Sequence, residues 1–175
     1  TAAVLCVLVS LALPALPGAV WLRALTASAC LSAAILCASL SYVAADPHRY
    51  TPRVATTSAV ALTLLSMVII YYLGLYSASA TFLTVGIYFY GISQSRAVAR
   101  SAYATCALAY FLGTAAIAIG ALPDLAVFSV ESVPTSSRVY RVIMQQAIFA
   151  MVFYLARESR RAAQVALEKA REQDL

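Results

Sequence analysis

Apolar and polar residues fall along this chain in long blocks. Apolar runs cover residues 1–16, 21–45, 54–72, 80–92, 98–122 and 138–157, separated by short polar or proline-containing segments. A membrane-crossing helix needs about 20 mostly apolar residues, each rising about 1.5 Å. The runs therefore predict an all-α, polytopic membrane protein, with residues 1–157 forming a bundle of six transmembrane helices. The opening "TAAVLCVLVSLAL" lacks the basic flank of a signal peptide and reads as part of a first span. Pro14, Pro17, Pro47, Pro52, Pro123 and Pro134 all lie at or near run ends, where a missing N–H costs least.

The sixth run does not stop at a turn. It continues from Tyr154 as "YLARESRRAAQVALEKAREQDL", without Pro or Gly and rich in strong helix formers. Residues 158–175 are expected to begin a cytoplasmic helical stalk, leading to a further domain beyond Leu175. The pairs Glu168/Arg171 and Lys169/Glu172 are spaced for surface attractions of about 0.2–0.5 kcal/mol each. Such pairs do not hold an isolated helix of this length. Continuity with the last span or a second copy must help. Ala156, Ser159, Ala163, Ala166 and Ala170 recur in a 3-4 pattern and form a thin heptad seam, which points to a homodimer. The alternative is a single helix with its arginines against anionic headgroups.

Composition agrees with a lipid solvent. The chain is 63% hydrophobic and 11% charged, with a mean hydropathy of +0.85, whereas soluble domains are about one quarter charged. The formal charge of +5 would suggest nucleic acid in a soluble protein. Here the basic residues flank apolar runs, so no nucleic-acid partner is expected, and the bilayer is the partner. Lys and Arg in short loops set orientation. With the tail inside, Arg49, Arg53, Arg96, Arg100, Arg157, Arg160, Arg161, Lys169 and Arg171 fall on the cytoplasmic side. Arg23, Arg138 and Arg141 remain outside, where the last two can snorkel or pair with Asp124 and Glu131. The small residues Ala27, Ser28, Ala29, Ser32, Ala33, Ala34, Ala38 and Ser39 suggest that the second helix lies in the bundle interior.

Catalytic chemistry is not apparent. Cys6, Cys30, Cys37 and Cys106 show no zinc spacing, and the single His48 has no ligand or triad partner, so no metal, cofactor or catalytic residue is assigned. Phosphate loops, kinase motifs and nucleophile elbows are missing. Span centres nearly free of ionisable groups argue against a transporter or channel, which stays as an alternative of another class. Two polar features remain. Tyr71, Tyr72 and Tyr76 could be an outer aromatic belt, and Gln145 with Gln146 could be interhelical glue. The sharper reading is an outward-opening pocket for a small amphipathic ligand or lipid. Tyr71, Tyr72, Tyr76 and Gln145 would line it, and the loop "PDLAVFSVESVPTSS" would be its lid.

The segments "YYLGLYSASATFLTVGIYFYGIS", "IGALPDLAVF" and "YLARESRRAAQVALEKA" resemble the N-terminal membrane region of large eukaryotic-like serine/threonine protein kinases of myxobacteria and related bacteria. The resemblance covers most of residues 60–170. It implies a six-span region of the bacterial inner membrane that anchors and regulates a cytoplasmic kinase. ATP and Mg would belong to that domain alone. The same plan is similar to membrane-bound adenylyl or guanylyl cyclases, the rival for the attached enzyme.

Overall fold

The structure is a computed structural model and describes residues 2–13, 16–46, 49–93, 95–127 and 134–173. Six α-helices follow in order: α1 (Ala2–Ala12), α2 (Val20–Ala44), α3 (Pro52–Leu73), α4 (Phe82–Gly91), α5 (Arg96–Ala118) and α6 (Thr135–Gln173). A 3-10 turn, Ala78–Thr81, leads into α4. No strand occurs among the described residues.

Local chemistry explains most boundaries. Thr51 accepts a hydrogen bond from the Val54 N–H (3.4 Å), and Pro52 occupies the first turn of α3, where its absent N–H is not missed. Ser95 caps α5 in the same way through Val98. The end of α5 departs from the sequence pattern, which carried the span to residue 122. Gly120 takes φ 75°. Its N–H meets the Ile117 carbonyl (3.1 Å) while the Ala121 N–H meets that of Ala116 (2.9 Å). This left-handed glycine cap closes the helix at Ala118 although apolar residues continue.

Among the described residues, four helices are long and apolar enough to cross a membrane: α2, α3, α5 and α6. The described residues are thus all-helical with four candidate membrane-crossing helices, which supports a membrane protein, while the expected count of six spans is not confirmed. α1, with 11 residues, and α4, with 10, each fall short of the usual length. α4 and its 3-10 entry together rise about 23 Å, because the 3-10 part climbs about 2 Å per residue.

Packing centres on α3, α4, α5 and α6. Their main cluster joins Ile70, Leu75, Tyr76, Leu83, Ile87, Cys106, Tyr110 and Phe149. A second cluster near the start of α5 joins Ala55, Ala59, Tyr90, Val98 and Ala102. α2 is not interior, contrary to the expectation from its small residues. It packs on α1 and α3, burying only Leu22, Thr26, Ala29, Cys30, Ala33 and Ala34. Ser28, Ser32, Ala38 and Ser39 are exposed. Their hydroxyls do not need a neighbouring helix, since Ser28 and Ser39 donate to carbonyls of Leu25 and Ile35 in their own helix. Outward-facing Leu31, Ile35, Leu64, Val85, Phe89, Leu108, Leu112 and Ile143 form the apolar exterior that hydrocarbon would cover.

The bundle has two ends. One carries the α2–α3 and α4–α5 connections and the departing α6. The other carries Pro17, the 74–81 segment and the α5–α6 connection. All Lys and Arg residues except Arg23, Arg138 and Arg141 belong to the tail end.

Two glycines should respond oppositely to alanine. Gly120→Ala forces a side chain into left-handed backbone and is expected to cost about 1 kcal/mol. Gly86→Ala, in a helix with nothing within 4 Å of the added carbon, should be neutral or stabilising by up to about 1 kcal/mol. Thermal unfolding in detergent micelles measures both.

Candidate functional site: the α4–α6 seam and its cavity

α4 and α6 run in the same direction, and the bonds between them show a regular register. The Arg141 guanidinium Nη1 donates to the Tyr76 carbonyl (2.8 Å), and the Gln145 Nε2 to the Ala80 carbonyl (3.5 Å), both across 65 residues. At the tail end, Arg157 Nη1 donates to the carbonyls of Gly91 (3.2 Å) and Ser93 (3.0 Å), across 66 and 64 residues. A near-constant offset means that the two segments advance together from one end of the bundle to the other. Each bond uses a donor on α6 and a main-chain carbonyl on the 76–93 segment.

Between these bonds the backbones approach closely. A Cβ built on Gly91 would lie 2.6 Å from the Ala156 Cβ, so only glycine fits there without movement. Ala156 is fully buried as a result. Of the five residues read as a dimer seam, Ala156 is thus covered within one chain. Ser159, Ala163, Ala166 and Ala170 are exposed. The Arg157 guanidinium sits at the C-terminal end of α4, where a cation also complements the helix dipole.

At the opposite end the seam opens into a cavity of about 250 Å³, bordered by Tyr76, Tyr110, Tyr140, Arg141, Met144 and Gln145 among others. Two of the four residues expected to line a pocket, Tyr76 and Gln145, therefore meet at one. Tyr71 and Tyr72 do not border it. The Tyr71 hydroxyl donates to the Pro123 carbonyl (2.6 Å), and that of fully buried Tyr72 to the Pro17 carbonyl (3.1 Å). These two tyrosines tie the connections of this end to α3, helped by the Val127 N–H on the Tyr72 carbonyl. Residues 128–133 of the expected lid lie outside the described residues, as do His48 and Glu131.

Tyr76 organises the cavity floor. Its hydroxyl donates to the Thr114 carbonyl of α5 (3.0 Å), and its ring lies 5.6 Å from the Arg138 guanidinium carbon. Burial pushes the Tyr76 phenol above its ordinary value, Arg138 opposing and Asp124 reinforcing the shift. Arg141 does not pair with Asp124, as the sequence allowed, but reaches the Tyr76 carbonyl. Gln146 also serves as glue, donating to the Ala107 carbonyl of α5 (3.0 Å). Sequence reasoning treated Arg157 only as an orienting charge, gave Arg141 a snorkelling or acidic-pairing role, and passed over Tyr110. Their signal was present: an arginine within a few residues of a span end has backbone carbonyls in reach.

No group of His, Cys, Asp and Glu among the described residues could hold a metal ion. Comparison with protein families, with curated proteins and with solved structures finds no match to this chain.

The Gly91–Ala156 contact generates a double-mutant test. Gly91→Ala should destabilise the bundle by about 1–3 kcal/mol through overpacking. Adding Ala156→Gly should recover part of that loss, although Ala156→Gly alone weakens the helix by about 1 kcal/mol. A coupling of opposite sign to the single effects, read from unfolding midpoints in micelles, confirms the contact. Strict additivity excludes it.

Proposed function

We propose that this chain is the membrane anchor and sensory region of a bacterial signalling enzyme, with a serine/threonine protein kinase as the attached domain. The observation that carries the reading is α6, one unbroken helix of 39 residues. Its first part is bonded into the bundle through Arg141, Gln145, Gln146 and Arg157, and residues 161–173 stand exposed. A rod built this way transmits a shift or rotation at the cavity end to whatever follows the tail. The signal would bind two packings of the α4–α6 seam with different affinity, since a ligand that binds both equally moves nothing. The attached catalytic domains, paired through the exposed tail helix, would then come into or out of register.

The basic residues at the tail end support an inner-membrane protein with a cytoplasmic C-terminus. The resemblance to kinase membrane regions favours a kinase over a nucleotide cyclase. The mechanics would serve either enzyme.

Two outcomes follow. Lys169→Cys, in a background with the native cysteines replaced, should resist a membrane-impermeant maleimide in intact cells and react after permeabilisation. Labelling of intact cells would overturn the orientation. In the full-length enzyme, replacing residues 1–157 by an unrelated six-helix bundle should leave basal phosphoryl transfer intact but abolish its regulation. Unchanged regulation would sink the sensory role and leave only an anchor.

A further inference from the structure

The chemistry of the cavity narrows its occupant. Its border includes the Arg141 guanidinium, the Gln145 carboxamide and the Tyr110 phenol, and it includes no carboxylate. Arg141 uses one donor on the Tyr76 carbonyl and makes no ion pair among the described residues. Gln145 is buried, yet its only bond among the described residues is a long 3.5 Å contact, at the outer limit for a hydrogen bond. The Tyr110 ring is fixed against Phe149, 5.7 Å between centroids, and no described residue bonds its hydroxyl. A cation and two neutral donors thus border a space that no described carboxylate lines, with Asp124 acting on it only through Tyr76. That donor set suits a phosphate oxyanion, for which arginine supplies charge-assisted bonds.

Size and surroundings indicate what carries the phosphate. About 250 Å³ is smaller than the usual range for whole ligands, roughly 300–1,000 Å³, but accommodates a phosphate with a few attached atoms. Tyr140, Met144, Met151 and Leu155 are exposed at spacings of 4, 7 and 4. They form one apolar stripe on α6 that leads from the cavity toward the tail.

We infer that the cavity is a binding site for the anionic phosphate headgroup of a membrane phospholipid, with an acyl chain lying along the Tyr140–Leu155 stripe of α6. This deepens the sensory reading above by naming the ligand chemistry, and its test reads binding alone, so it fails or stands independently of any enzyme output. Arg141 keeps N–H donors beyond the one on the Tyr76 carbonyl, so a bound phosphate adds charge-assisted bonds beside that contact. Occupancy therefore bears on the cavity end of the seam while Arg157 holds the other.

The test is native mass spectrometry of the purified full chain, titrated from detergent with dioleoyl-phosphatidylglycerol, dioleoyl-phosphatidylcholine or inorganic phosphate. One phosphatidylglycerol should be retained in preference to phosphatidylcholine. Arg141→Gln should weaken its retention at least about tenfold, and Tyr110→Phe several-fold, while Arg23→Gln on the same membrane side leaves it unchanged. Equal loss in Arg23→Gln would reveal general attraction to anionic lipid and overturn the site. Undiminished retention in Arg141→Gln would do the same. Saturable binding of inorganic phosphate at matching affinity would assign the cavity to a free anion and defeat the lipid. If Arg141→Gln does not fold, Tyr110→Phe decides, because it removes one hydroxyl and keeps the ring packed on Phe149.

Discussion

A helix that ends within a hydrocarbon-facing bundle leaves carbonyl groups that no water can reach. α4 poses this problem at its C-terminal end, and the Tyr76 and Ala80 carbonyls of the segment leading into it also receive donors from α6. α6 supplies the solution. Arg141 and Gln145 donate to carbonyls before and within the entry turn, and Arg157 donates to the carbonyls of Gly91, the last residue of α4, and of Ser93 just beyond it. Unsatisfied polar backbone in lipid costs several kcal/mol per group. These bonds therefore make the short helix tolerable and set the register of the longest one.

The rest of the architecture follows from this seam. With α4 bonded alongside α6, α5 can close the other flank through Tyr110 on Phe149 and Gln146 on the Ala107 carbonyl. α3 completes the core by hydroxyl contacts suited to a low-dielectric interior. Ser58 shares a hydrogen bond with Tyr90 (3.2 Å), and Thr63 meets the Cys106 thiol (3.3 Å). Both hydroxyls also have a carbonyl in their own helix, so neither depends on its partner alone. α1 and α2 attach to the outside of α3.

The seam also explains why the tail helix is informative. Its exposed residues have no packing of their own, so its direction is inherited from Ala156 against Gly91 and from the Arg157 bonds. A change at the cavity end would have one stiff element along which to travel. Sensing and anchoring are joined in the same helix under this reading.

Helix class, the exits of α2 and α3, the continuity of α6 and the basic bias of its tail end were legible in the one-dimensional pattern. Each depends on neighbours in sequence: apolar runs, prolines at run ends, and a helix-forming tail without breakers. Gly120 marks the end of α5 in the structure, whereas the apolar run continues past it to residue 122. The peripheral place of α2 and the partners of Tyr71, Tyr72, Tyr76 and Arg141 were not legible. Those depend on which faces meet across tens of residues, and amphipathic periodicity is faint when lipid and protein interior are equally apolar. Only the folded arrangement could bring Gly91 to Ala156 and place Gln145 beside Tyr76, because distance in space, not composition, selects those pairs.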